Sequence, residues 1–542
     1  MSAPRTTRSA QKRRPVLFQV PGILLLVART SLEGGGPGQV EPASRPPATP
    51  MGAPGSNRCS TRGRATIGRT AGRGVLWTYL SAAGSKLLVF VSTVILARLL
   101  IPAEFGQVGF ALLVIGYMDT VGDLGVSSAL IYEREDPTGA ADATFLISVA
   151  MGLFWFCVAF LAAPLFADFF GEPRIVPILR VLGVVFIVSS LGNTHDALLR
   201  RNLAFKKRLV PDFAMAAFKG LCSVVLAGAG WGVWSLVYGQ LIGTVAATVA
   251  LWIVVPWRPG FRGSMQTARR MLGYSGKIMS VDVLSAIVSN ADYVIVGRLL
   301  GTAALGLYTL AYRTPEMLIT MVIWVIGRVT FPVYSRLRSD PAGLSRAFLA
   351  TLRYLSLVTL PAGLGLALLG GLFVSTLYGT RWSEAALTLQ VLALVCALRS
   401  LGSHAGDVYK ATGQPNILIK LGLLRAAILI PAMIWGTQAG ILGVAIAQLV
   451  ITAASTALNL YVAARVLSLP VRALLREFRP SVLASLAMAM ALHLLLPTLA
   501  AMPAAAGLAT GVCAGALVYA AGICLFGRDA LKQAWAVLGG ER

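Results

Sequence analysis

From residue 75 onward, apolar residues run in long stretches separated by short polar breaks. Most hold roughly 17–25 residues, the length a helix needs to cross a bilayer. Fourteen can be traced: 75–97, 107–130, 142–166, 177–198, 211–227, 233–256, 278–297, 305–334, 354–373, 385–402, 421–435, 441–463, 481–496 and 506–526. Only Gly228–Gly232 separates the fifth from the sixth, and the eighth is long enough to tilt. The pattern predicts an all-α polytopic membrane protein of about fourteen transmembrane helices.

Composition agrees. Hydrophobic residues make up 56% of the 542 and charged residues only 13%, roughly half the share of about 25% typical of soluble chains. An ordinary soluble enzyme, a disordered scaffold and a fibrous protein are thereby excluded. Residues 1–66 differ from the rest: rich in Arg, Pro, Gly, Ser and Thr, they cannot bury enough apolar surface to order themselves. The short apolar run Val16–Ala28 after Lys12-Arg13-Arg14 has the outline of a signal-peptide core, broken by Pro21-Gly22. A disordered basic extension, or a gene start placed too early with Met51 the true one, accounts for it more simply.

Net charge is +25, which in a soluble protein would point to nucleic acid. Its distribution says otherwise. With the N-terminus inside, the inner loops carry 24 Lys/Arg and the outer loops 4, the signature of both termini in the cytoplasm of a bacterial inner-membrane protein. Another 12 lie in residues 1–73. The charge is chiefly an orientation signal. Trp77, Trp252, Trp257 and Trp382 fall near expected interfaces and read as belt residues. Cys59, Cys157, Cys222, Cys396, Cys513 and Cys524 show no pairing pattern, the three His are scattered, and no phosphate loop is visible. No metal site or resident cofactor is expected, nor any catalytic residue.

A shift of 200 residues lays Val94–Leu100 on Val294–Leu300, with Ala103/Ala303, Gly106/Gly306 and Ala111/Ala311 following. Six spans separate the copies, so the repeat is parallel, about an axis along the membrane normal. The expected organisation is an extension (1–66), a six-helix bundle (67–256), a cytoplasmic linker (257–277), a second six-helix bundle (278–463), and two further helices with a short tail (464–542). Such duplicated bundles suit alternating access better than a channel or a membrane enzyme.

Several segments carry a family resemblance: Ala97–Gly106, Asp119–Gly125, Leu203–Lys206, Leu310–Arg313 with Pro315, Val329–Pro332, Tyr378–Trp382 and Leu398–Gly402. In order and spacing the chain resembles polysaccharide-transport flippases of the multidrug/oligosaccharidyl-lipid/polysaccharide exporter superfamily, nearest the Wzx type of the colanic-acid kind, over residues 69–480. The resemblance implies two six-helix bundles in a V plus two extra helices. It implies export of an undecaprenyl-diphosphate-linked oligosaccharide to the periplasmic leaflet for surface polysaccharide (O-antigen, capsule or exopolysaccharide). A polysaccharide polymerase and a chain-length regulator would be its partners, beside membrane lipids.

Ionisable residues inside spans are functional candidates by default. Seven basic residues fall there: Lys86, Arg180, Lys219, Arg313, Arg328, Arg399 and Arg425. Arg180, Arg399, Arg425, Asp142, Asp196 and Asp212 lie near span ends and read as snorkelling. Lys86, Lys219 and Arg313 lie deep. A diphosphate crossing a low-dielectric path needs cations to replace its water and counterions, so these three are the candidate grip. The alternative for Arg313 is an ion pair with Glu316 at i,i+3. Asp119 and Asp123, Asp282 and Asp292, and Glu316 are candidates for H⁺ or Na⁺ coupling, for sugar contacts, or for holding helices together.

Competing readings are a drug/cation antiporter or peptidoglycan-precursor flippase of the same fold, a membrane polysaccharide polymerase or ligase, and a non-catalytic scaffold. An antiporter for organic cations would want deep acidic groups instead. A polymerase or ligase would want a large outer loop, and every expected outer loop here is short.

Overall fold

The computed structural model describes residues 84–122, 130, 137–202, 204–260 and 290–527. The described residues are helical throughout, with no strand among them. A described helix overlaps every predicted span, although 75–83 of the first and 278–289 of the seventh lie outside the described residues. In the first half these are α1 (84–99), α2 (Pro102–Gly122), α3 (Pro137–Phe170), α4 (Ile175–Arg201), α5 (Phe205–Gly228) and α6 (Val233–Val254). The second half holds α7 (Ala291–Leu300), α8 (Thr302–Pro315), α9 (Met321–Arg336), α10 (Pro341–Leu377), α11 (Ala385–Ser403), the short α12 (Ala405–Ala411), α13 (Pro415–Gly436) and α14 (Gly440–Val466). Two more, α15 (Val471–Ala501) and α16 (Ala504–Phe526), follow. Nine helical segments among the described residues are long and apolar enough to cross a membrane.

The long eighth stretch is not one tilted helix. Pro315 ends α8, and Glu316–Thr320 form a π turn leading into α9. Proline has no amide hydrogen, so the α ladder is interrupted there and the chain widens for one turn.

In the first half α5 packs on α6, and α3 on α4; in the second, α10 packs on α11 and α13 on α14. The α15–α16 hairpin lies against α10. Across the halves the main contact is α2 against α8. Two glycines permit it. A Cβ on Gly106 would stand 1.8 Å from the Thr302 carbonyl oxygen, and one on Gly306 would stand 1.9 Å from that of Pro102. Under the 200-residue shift each contact is the image of the other. Residue i touching j while j's image touches i's is what a two-fold axis requires, so the internal repeat appears as a pseudo-two-fold crossing.

The crossing lies at the end of the bundle poor in Lys and Arg, and reciprocal contacts reinforce it. Arg98 Nε donates to the Leu377 carbonyl at 2.9 Å, and its Nη2 donates to that of Thr376. On the other side the Arg298 guanidinium lies 5.5 Å from the Phe169 ring centroid, and Thr302 Oγ1 donates to Glu172 Oε2 at 2.8 Å. The two arginines, equivalent under the shift, each reach from the first helix of one half to the end of a long helix of the other, Arg98 to α10 and Arg298 to α3. Trp382 is no belt residue. It is fully buried, donates from Nε1 to the Ala97 carbonyl at 2.7 Å, and meets Phe105 edge-on. Burying an aromatic ring of this size contributes roughly 2–3 kcal/mol. Trp252 is likewise held inward, donating to the Leu191 carbonyl at 2.9 Å and lying against His195. Trp77 lies outside the described residues.

Candidate substrate cavity

Below the crossing the halves diverge around a cavity of about 650 Å³. A second cavity of about 480 Å³ adjoins it toward the basic end, sharing Val89, Ala216, Lys219, Arg313 and Glu316. Ligand sites commonly occupy about 300–1,000 Å³. Both bundles contribute walls, as the parallel repeat requires.

Lys219 reaches the cavity because α5 and α6 come unusually close. Gly239 and Gly243 on α6 form a small-xxx-small step, and a Cβ on Gly243 would lie 2.7 Å from that of Lys219. The approach brings Lys219 Nζ within 2.5 Å of Gln240 Oε1, to which it donates. A neutral acceptor holds the ammonium in place without cancelling its charge. Arg313 faces the same space from α8 and, among the described residues, forms no ion pair. Lys86 lines the adjoining cavity with Asp212. The three candidate cations, from both halves, are therefore brought together.

Arg399 corrects the sequence reading. Its place near a span end suggested snorkelling, yet it turns inward and lines the cavity. Nη1 donates to the Tyr312 hydroxyl at 2.5 Å, the guanidinium lies 5.6 Å from that ring's centroid, and Nη2 is 3.8 Å from Glu316 Oε1. Glu316 thus partners Arg399 rather than Arg313. Asp212, also read as a snorkelling end residue, lines the adjoining cavity. Across both cavities four basic side chains (Lys86, Lys219, Arg313, Arg399) face two acidic ones (Asp212, Glu316). Ser92, Thr93, Asn290, Tyr293 and Thr309 add neutral hydrogen-bonding groups.

The remaining acidic candidates lie elsewhere. Asp119 lines a separate small cavity inside the first half with Ser148, Trp155, Ser190 and Asn193. Asp292 is 2% exposed, behind the Tyr293–Tyr312 wall. Its Oδ2 accepts from Tyr308 at 3.0 Å and from Gln448 Nε2 at 2.9 Å. Asp292 Oδ1 and Gln448 Oε1 are both buried without a hydrogen-bond partner among the described residues. Neither Asp119 nor Asp292 is placed to touch a sugar in the central cavity. Asp123 and Asp282 lie outside the described residues, as does the side chain of Arg328. No group of three or more His, Cys, Asp or Glu able to hold a metal ion occurs among the described residues.

Comparison with known proteins agrees with this architecture. The family described as polysaccharide biosynthesis protein matches residues 95–387. The lipopolysaccharide biosynthesis protein WzxC of Escherichia coli K12 is 26% identical over 72% of this chain and 80% of its own length. The succinoglycan biosynthesis transport protein ExoT of Rhizobium meliloti is 28% identical over 86% of this chain and 95% of its own. Among solved structures, the lipid II flippase MurJ in an inward closed conformation superposes with a TM-score of 0.68 at 16% identity, covering 84% of this chain and all of that one. An inward-facing multidrug resistance transporter of the MATE family gives 0.58 at 16% identity, covering 71% and 94%. At such identity these two speak for the fold alone.

Proposed function

The chain belongs to the polysaccharide biosynthesis protein family, and we propose that within it the protein is a flippase for an undecaprenyl-diphosphate-linked oligosaccharide. It works in the bacterial inner membrane, with the basic end of the bundle and both termini in the cytoplasm, the orientation that the loop charges favour. The observation that carries this reading is the cavity between the halves, where Lys219 from one half and Arg313 and Arg399 from the other converge.

A diphosphate leaving water loses a large hydration energy, and charge-assisted hydrogen bonds from fixed cations replace it. Lys219 is preset by Gln240, and Arg399 by Tyr312 and Glu316. Arg313 offers the planar donor array suited to phosphate oxygens. The hydroxyl and amide groups of Ser92, Thr93, Asn290 and Thr309 suit sugar hydroxyls. Lys86, nearer the basic end, is the first cation met by substrate entering from the cytoplasm. The halves are clasped at the opposite end, so export requires the α2–α8 crossing to open while the basic end closes. A mainly basic cavity disfavours the drug/cation antiporter alternative, and the relatives' names favour surface polysaccharide over peptidoglycan precursors.

Coupling falls most naturally to Asp292. Asp292 Oδ1 is buried without a donor among the described residues, and a proton on the carboxyl turns that unsatisfied acceptor into a donor. Release of that proton would then accompany rearrangement of the tyrosine wall.

The reading is tested by deleting the gene in its host and fractionating the lipid-linked intermediates. Accumulation on the cytoplasmic face, with surface polysaccharide lost, is expected. Normal surface polysaccharide without accumulation contradicts it.

A further inference from the structure

Helix α2 separates two cavities. Its Phe105 and Val108 line the central one, while Glu104 and Gln107 line another of about 380 Å³ at the basic-poor end of the first half. Arg174, Trp234 and the exposed Ile101 and Pro177 also line that second pocket, with three further apolar side chains. Nothing in the proposed diphosphate grip uses it.

The pocket is built with some care. Glu104 Oε2 accepts from the Ile101 amide at 2.9 Å, which fixes the carboxylate. Its other oxygen lies against Gly232, where a Cβ would stand only 2.5 Å away and where φ is +51°. A side chain at 232 would therefore be strained and would displace the carboxylate. Gln107 is 7% exposed, a planar amide held at the pocket wall. Trp234 extends into an aromatic group with Tyr238 at 5.7 Å, and Trp231, 52% exposed, joins Tyr238 edge-on at 5.8 Å.

The internal repeat supplies a comparison within the same chain. The positions equivalent to Glu104 and Gln107 in the second half are Ala304 and Leu307, and Leu307 packs into the hydrophobic core. The same helix turn carries apolar side chains in one half and, beside this pocket, polar ones in the other.

A carboxylate, an amide and a guanidinium beside an indole form the donor and acceptor set that suits a pyranose. The planar polar groups take adjacent hydroxyls, and the aromatic ring takes the C–H face of the sugar. We propose that this pocket is a saccharide-binding site on the outer face, separate from the central cavity and divided from it by α2. Given the flippase reading, on which its role though not its binding chemistry rests, it holds sugars of the exported chain as the central cavity opens outward.

The test uses the full-length protein in nanodiscs of phosphatidylethanolamine and phosphatidylglycerol, free of glycoside detergents. Methyl β-D-glucopyranoside and methyl β-D-glucuronide serve as neutral and anionic probes in saturation-transfer NMR. Ring protons of at least one probe should receive saturation. The signal should fall several-fold in Glu104→Ala with Gln107→Leu, the residues of the second half, and in Arg174→Ala at the exposed rim, which checks the result if the double variant folds poorly. It should persist in Lys219→Met. No saturation with either probe, as when a lipid headgroup fills the pocket, overturns the proposal. So does a signal undiminished in both pocket variants, or one that falls as far in Lys219→Met. Sugar binding in a protein that moves no lipid-linked substrate would remove the flippase reading and leave the pocket standing.

Discussion

Substituting Gly106 by alanine isolates the crossing on which the two halves close. The added Cβ would lie 1.8 Å from the Thr302 carbonyl oxygen, whereas a carbon normally rests about 3.3–3.6 Å from such an oxygen. The helices must part by about 1.5 Å at this point to restore that separation. Overpacking of this kind costs about 1–3 kcal/mol, here only in the clasped state. An equilibrium between clasped and parted halves then shifts by about 5–150-fold. Gly306→Ala, 1.9 Å from the Pro102 carbonyl oxygen, should act alike. Spin labels on Asp168→Cys and Ser383→Cys, both exposed at the basic-poor end on opposite halves, report the separation by double electron–electron resonance once the native cysteines are replaced. Gly116→Ala on the same helix is the control, since nothing lies within 4 Å of its Cβ. A longer-distance population should grow in the Gly106 and Gly306 variants and not in the control. Identical distributions in all three would refute the reasoning.

Three further outcomes follow from the same geometry. Arg399→Lys keeps the charge but cannot hold Tyr312 and Glu316 together, so transport in a reconstituted system should fall about tenfold to a hundredfold; a rate near wild type argues against a positioned guanidinium. Arg98→Ala combined with Arg298→Ala removes both reciprocal contacts at the clasped end; cysteine-reactive reagents added from the outer side should reach Thr309→Cys in the cavity faster than in the parent, and unchanged labelling contradicts the clasp. Asp292→Asn fixes the neutral form, so the protein should fold and bind substrate while its transport no longer responds to an imposed pH gradient; a retained response moves coupling elsewhere.

Much of this architecture is legible in the chain itself. The spans are long and uniformly apolar, and a length criterion alone locates them. The repeat is legible because Gly106 and Gly306 are obligatory at the crossing, where any side chain meets a carbonyl. Rotation about each helix axis is harder to read. Stretches apolar on all sides present no preferred face, so distance from a span end was the only guide to a charge's surroundings. Lys219 and Arg313, deep by that guide, line the cavity. It misplaced Arg399, which lies one turn from the end of α11 but is held inward by Tyr312, a residue 87 positions earlier. It also gave no means of separating Asp292, behind the tyrosine wall, from Glu316 within the cavity. The π turn that aims Glu316 was signalled only by Pro315. Trp382 resembled a belt residue because its position along the span is right for one, while its burial depends on the opposite half.

The central claim is that cations from both halves carry a diphosphate-linked saccharide across the membrane. Its most direct measurement is the appearance of the saccharide headgroup on the far side of proteoliposomes holding the undecaprenyl-diphosphate-linked oligosaccharide, followed by lectin binding over time. Wild-type protein should make the protected headgroups accessible, while Lys219→Met with Arg399→Met, folded and inserted to the same extent, should leave lectin binding at its initial level. Equal rates for the two proteins, or no movement by the wild type with substrate from its own host, would contradict the account.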